Sequence, residues 1–237
     1  MDIIDVNTNF GFYRFKKLDT SVGKILSEMD KWKISRALAV SMRGTYYDYS
    51  DGNDETLKTC ETEKRFIPVA TIDVRKSPDF EKDLDSFVKR GFKAVRLYPE
   101  EQGWGVDQIA FRKLLNIVND FRMPMIISAP PGKLYDIAAD TTVPIIFLST
   151  HYYDLYEIIR VFEDRKNFYA EERLFTSNDA IELFVGRISP RRLVFGSNNP
   201  FEYIGSSVVR IESAEITEKE KELIYSGNVK EILNIAG

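Results

Sequence analysis

Short runs rich in Val, Ile, Leu and Phe recur along the chain, each followed by a longer stretch in which apolar residues return with helical period. Strands are predicted at 3–7, 36–41, 67–72, 94–98, 125–128, 145–149, 168–171 and 193–196. Helices are predicted between them at 22–32, 55–64, 78–90, 107–121, 134–140, 155–164 and 177–185. From Phe80 to Val88 the apolar residues Phe80, Leu84, Phe87 and Val88 fall on one helical face, with Ser77-Pro78 as a start signal and Gly91 as a stop. Alternation of this kind predicts a parallel α/β sheet, and eight units predict closure into a single (β/α)8 barrel over residues 1–237. The alternative is an open doubly wound sheet, but no Gly-x-Gly-x-x-Gly turn follows the first strand. The stretch 216–235 predicts a final helix interrupted at Gly227-Asn228, and Asp48 to Asp54, rich in turn formers, predicts a rim loop.

Composition narrows the partners. A net charge of −4 with no long basic run argues against nucleic acid. Cys60 is the only cysteine, so no intramolecular disulfide can form and a reducing compartment is expected. With no histidine near it in sequence, Cys60 reads as a structural thiol. Met1 leads straight into a strand, and no apolar run approaches the ~18–20 residues of a membrane span. The expectations are a cytoplasmic protein with no membrane partner.

The candidate chemistry sits at the ends of the strands. The first run, Ile3-Ile4-Asp5-Val6, ends in Asn7-Thr8-Asn9, and the last, Leu193-Val194-Phe195, ends in Gly196-Ser197-Asn198-Asn199-Pro200. Between them lie Phe66-Ile67-Pro68-Val69-Ala70-Thr71-Ile72, Gly91-Phe92-Lys93-Ala94-Val95-Arg96-Leu97-Tyr98-Pro99 and Met123-Pro124-Met125-Ile126-Ile127-Ser128. Pro144 to His151, Asn167 to Glu171 and the closing Gly227-Asn228-Val229-Lys230-Glu231-Ile232-Leu233 complete the series. In this order the set resembles the amidohydrolase superfamily, specifically the amidohydrolase-2 branch of metal-dependent hydrolases with a TIM-barrel fold. There the first and last sites read Asp-x-His-x-His and Gly-Ser-Asp-x-Pro. The resemblance implies that the two histidines bind a catalytic metal, while the final aspartate binds it and takes a proton from water. Carried over residue by residue, the metal positions become Asn7, Asn9, Ser128, His151 and Asn198, and only His151, the sole histidine, keeps its family identity.

Amides are poor ligands for zinc, and an amide at position 198 cannot accept a proton at neutral pH. General-base catalysis, worth roughly 10²–10⁴-fold, is thereby removed from that position. No cofactor is expected and a divalent metal is disfavoured. The i, i+2 spacing of Asn7 and Asn9 puts both on one strand face. A polar pocket is expected from Asn7, Asn9, Arg96, Tyr98, Ser128, His151, Tyr169 and Asn198, with Arg96 as anchor for a carboxylate or phosphate or else salt-bridged to Glu171 or Asp5. His151 and Glu171 are the candidate catalytic pair, and Trp104 is a further candidate for the mouth. Three functions stay open. The chain binds a small polar or anionic molecule without standard metal-dependent hydrolysis; it is a hydrolase or decarboxylase with a non-standard or metal-free site; or it is a structural scaffold, a homo-oligomer included.

Overall fold

A computed structural model describes residues 1–235. The strands are β1 (Ile4–Phe10), β2 (Arg36–Ser41), β3 (Phe66–Pro68), β4 (Ala70–Thr71), β5 (Val95–Leu97), β6 (Met125–Ile127), β7 (Ile145–Phe147), β8 (Phe168–Glu171) and β9 (Leu193–Val194). All pairings are parallel, in one sheet ordered β1-β2-β3 and another ordered β4 to β9 in sequence. β3 and β4 are one predicted strand that changes partner at Val69, whose N–H donates to Ala39 O at 3.3 Å while that of Ala70 donates to Ala94 O at 3.0 Å. The other seam carries Val6 N to Phe195 O at 3.0 Å and Asn9 N to Asn199 O at 2.8 Å. Hydrogen bonds thus join the two sheets at both seams, which is the ring the alternation predicts.

Two apolar layers hold this ring. The inner one contains Ile4, Val6, Leu38, Val40, Ile67, Val69, Ala94, Ile126, Ile146 and Val194. Val229, Ile232 and Leu233, on and beside the helix Asn228–Leu233, join it and cover the end of the barrel where the strands start. The outer layer packs the other strand faces against helices such as Phe80–Lys89, Ile109–Asp120 and Leu155–Asp164, whose bounds fall close to those predicted.

Two expectations change. The supposed rim loop at Asp48 to Asp54 is the start of a helix, Tyr49–Thr62, because the Asp48 side chain caps Asp51 N at 3.0 Å. The predicted helix at 134–140 is a short 3₁₀ turn, Pro131–Leu134, followed by irregular turns. After the cis Asn199–Pro200 bond the next helix begins at Ile204.

Candidate binding site at the barrel mouth

A parity change on β1 builds the site. Ile4 and Val6 belong to the inner apolar layer, yet Asn7 and Asn9 line the cavity beyond it. The β1–β2 register slips between Asp5 and Thr8, a bulge that lets odd residues take over the inward face. Asn7 N, withdrawn from regular pairing there, donates to Asp5 Oδ1 at 2.9 Å. Buried Asp5 also accepts from Thr8 Oγ1 at 3.0 Å, Ser197 N at 3.0 Å and Ser197 Oγ, fastening β1 to the loop after β9. Its carboxyl is pushed up by burial, against which those donors work.

On β5 the alternation Ala94, Arg96, Tyr98 carries the inner face from apolar to polar. Arg96 is 3 % exposed, and its Nη2 donates to Asn7 Oδ1 at 2.7 Å. The guanidinium lies 4.7 Å from the Tyr98 ring, while its Nε and Nη1 are buried with no hydrogen-bond partner. Tyr98 OH donates to Asn9 Oδ1 at 2.8 Å, and burial pushes this phenol up to about 12.

The other end of the Asn7 amide donates through Nδ2 to Glu171 Oε1 at 2.7 Å. Glu171 Oε2 faces Arg173 Nε at 3.4 Å, and Arg173 Nη1 reaches Glu202 Oε1 at 2.6 Å. Glu202 Oε1 in turn accepts from Asn198 Nδ2 at 3.0 Å. One polar chain therefore runs Arg96–Asn7–Glu171–Arg173–Glu202–Asn198. An amide suits position 7 because it accepts from a guanidinium with one end and donates to a carboxylate with the other.

Above this chain lies a cavity of about 330 Å³. Of the predicted residues it gathers Asn7, Asn9, Arg96, Tyr98, Ser128 and Asn198. Others lie outside. His151 is exposed and stacks on Tyr153, with ring centroids 5.7 Å apart. The chain has left the strand by then: Ser149 lines the cavity, Thr150 turns inward to Glu171 O at 2.6 Å, and His151 is carried away by the turn Tyr152–Asp154. Tyr169 packs against the inner apolar layer beside Arg192. Glu171 reaches the cavity only through its neighbours, and Trp104 is buried against Phe111, 5.6 Å between centroids. Arg96 makes no salt bridge to Glu171 or Asp5; it is bound to an amide. Arg173, Lys16, Tyr13, Tyr46 and Phe201 also line the cavity, and the sequence reading missed them because they stand on loops, turns and short helices beyond the strand ends.

A metal does not fit this donor set. Both asparagine oxygens already accept hydrogen bonds, and a fixed guanidinium adjoins them. Among the described residues no three His, Cys, Asp or Glu side chains are grouped to hold one.

Glu171 and its neighbour Glu172 are buried carboxyls, pushed up by burial to about 7 and about 8, with Arg173 and Arg210 respectively holding the shifts down. Both lie above the ordinary carboxyl value of about 4.3, so the folded chain keeps protons that the unfolded chain releases. Their contribution to stability is therefore greatest below about pH 4.5 and declines as pH rises toward about 8. Thermal unfolding between about pH 5 and 8 is expected to show this decline, with a shallower slope in Glu171→Gln. An unchanged slope in that variant would place the effect elsewhere.

The sequence profile of the Amidohydrolase family matches residues 47–235. The chain belongs to this family. Solved structures similar to it include a putative amidohydrolase from Staphylococcus aureus, 12% identical, covering 99% of this chain and 100% of that one, with a TM-score of 0.79. The 2,6-dihydroxybenzoate decarboxylase from Rhizobium is 14% identical, covers 100% and 99%, and has a TM-score of 0.75. For 5-carboxyvanillate decarboxylase from Sphingomonas paucimobilis the values are 12%, 99%, 99% and 0.77. At these identities the likeness shows the fold, and the family's TIM barrel is the fold found here. No curated protein matches the sequence.

Proposed function

We propose that this amidohydrolase-family barrel binds a small carboxylate or related anion at its mouth without metal-dependent hydrolysis. The observation that carries this reading is Arg96, a buried cation with two nitrogens lacking partners on the wall of a cavity. Leaving buried donors unsatisfied is costly, and an oxyanion is the group best suited to take up the unused N–H groups of a guanidinium. Arg173 and Lys16 add positive charge to the wall, so that three cations face the two acids Glu100 and Glu101 there, and Tyr13, Tyr46 and Phe201 give it aromatic faces. Two structural neighbours are, by name, decarboxylases of aromatic acids, which makes 2,6-dihydroxybenzoate a reasonable first probe.

With chelator present, calorimetric titration of the wild type should show binding of that probe. Arg96→Met should weaken it at least about tenfold, since a hydrogen bond to a charged group is worth about 1.5–3 kcal/mol. Arg96→Lys keeps the charge but loses the fork, and should fall between them. Equal affinity in wild type and a folded Arg96→Met variant would refute the assignment.

A second reading, a metal-free hydrolase or decarboxylase, draws on Glu171, whose carboxyl titrates near neutrality one hydrogen bond behind Asn7. It requires turnover of the same acids, lost in Glu171→Gln.

A further inference from the structure

The loop after β1 has a composition that the pocket does not use up. The chain carries a net −4, yet the loop from Gly11 to Thr20 contains Arg14, Lys16 and Lys17 against a single acid, Asp19, whose Oδ1 accepts from Ser21 N at 3.0 Å. Interleaved with these are Phe12, 66% exposed, and Phe15, 55% exposed, with Leu18 also open to solvent. The loop is held from beneath: Tyr13 packs on Tyr46 and Phe201 at 5.5 and 5.0 Å between centroids, and Gly11 N and Thr20 O close its base at 3.0 Å. Arg14 lies over the rings of Phe15 and Tyr47 at 4.9 and 5.6 Å, and none of the three cations forms an ion pair among the described residues. Tyr153 and Tyr156, 74% and 64% exposed, follow β7 at the same end of the barrel. Here apolar tips, unpaired cations and amphipathic rings share one end of an otherwise acidic molecule.

The geometry points to an anionic lipid surface as the partner of this loop, with Phe12 and Phe15 entering the headgroup boundary and Arg14 and Lys17 lying against lipid phosphates. Charge complementarity selects an anionic partner. Exposed apolar tips alternating with cations along one loop match a lipid headgroup boundary, which takes up both at one depth. Single-stranded nucleic acid needs open ring faces along a basic groove, whereas the Tyr13 and Tyr46 rings here pack on each other at the cavity wall. Tyrosines suit the water–lipid boundary for the same amphipathic reason. The expectation of no membrane partner rested on the lack of a span, and no helix among the described residues is long and apolar enough to cross one. Peripheral docking needs no span.

Co-sedimentation of the full chain with phosphatidylcholine vesicles, with and without phosphatidylserine, tests this. Wild type should pellet with the anionic vesicles, much less with the neutral ones, and release as salt is raised. Phe12→Ala with Phe15→Ala should lower the bound fraction several-fold at every salt concentration. Arg14→Gln with Lys17→Gln should remove the preference for phosphatidylserine, while the melting temperature of both variants stays near wild type. Failure to pellet with anionic vesicles overturns the proposal. So does binding that is unchanged in both variants, retention of a single-stranded oligonucleotide in place of vesicles, or a solution dimer that the double Phe variant dissociates.

Discussion

Installing the family's ligands at four positions, with Asn7→His, Asn9→His, Ser128→His and Asn198→Asp, is expected to leave the protein without a tight Zn²⁺ site as long as Arg96 remains. Read by collinearity alone, the replacement recreates the family's set with His151 as a further imidazole. The structure changes that expectation in two ways. His151 stacks on Tyr153 outside the cavity, so the rebuilt set is three imidazoles and one carboxylate. That number still suffices for a metal with an open water position. The second obstacle is charge. Arg96 Nη2 stands 2.7 Å from the Asn7 side-chain oxygen, where the first new imidazole would be. At about 4 Å and an effective dielectric near 20, each unit of metal charge meets roughly 4 kcal/mol of repulsion from the guanidinium, or about 8 kcal/mol for a divalent ion. That would cost more than five powers of ten in affinity at about 1.36 kcal/mol each. Adding Arg96→Met to the fourfold variant should therefore produce calorimetric Zn²⁺ binding that its parent lacks. Stoichiometric, tight Zn²⁺ in the fourfold variant with Arg96 intact would show that the guanidinium is no obstacle.

Gly52→Ala is expected to lower the melting temperature sharply, although alanine is the better helix former by about 1 kcal/mol. Gly52 lies in the helix Tyr49–Thr62 and rests on Gly44 of the short helix Met42–Tyr46. A Cβ on Gly52 would collide with the backbone N and Cα of Gly44 and stand 3.1 Å from the carbonyl carbon of Arg43. Backbone atoms cannot rotate aside as a side chain can, so the cost should reach or exceed the upper part of the ~1–3 kcal/mol range for overpacking. For a domain of this size a net loss near 2 kcal/mol corresponds to roughly 4–8 °C. Gly23→Ala is the matched control. It lies in the helix Val22–Lys31 with nothing within 4 Å of its added methyl, and should hold or raise the melting temperature. If both substitutions behave alike, the close approach at Gly44 is not real. The damage should also spread to the pocket, because Met42, Thr45 and Tyr46 of the short helix form part of its wall. The longer helix is tied to the barrel by Asn53, which donates to Thr71 O and accepts from Thr71 N, both at 2.8 Å.

The barrel was legible because each strand is apolar on the face that builds the inner layer and each helix repeats its apolar face with helical period. The splitting of the third strand into β3 and β4 was not legible, since a change of hydrogen-bonding partner at Val69 leaves no mark on hydrophobicity. In the site, residues on or next to strands were placed well. Arg96 and Tyr98 share the face of Ala94, and Asn7 and Asn9 share a face as their spacing requires, although a bulge decides that this face is the inward one. Beyond the strand ends, alternation no longer governs direction. That is why His151 was expected at the cavity while Ser149, two residues earlier, lines it. It is also why Arg173, on the 3₁₀ turn Glu172–Leu174, went unnoticed. The partnership of Asn7 with Glu171 spans 164 residues of sequence and becomes visible only once the barrel brings β1 and β8 into reach.

The guanidinium on β5 has a consequence for how this pocket comes by its charge. A dissociable ion must be captured after folding, competes with every other chelator in the cell, and can be stripped away. A side chain is present from the moment the strand is in place, in unit stoichiometry, and does not exchange. Affinity for an anion that depends on Arg96 would be indifferent to metal starvation and to metal excess alike, and only mutation could remove it.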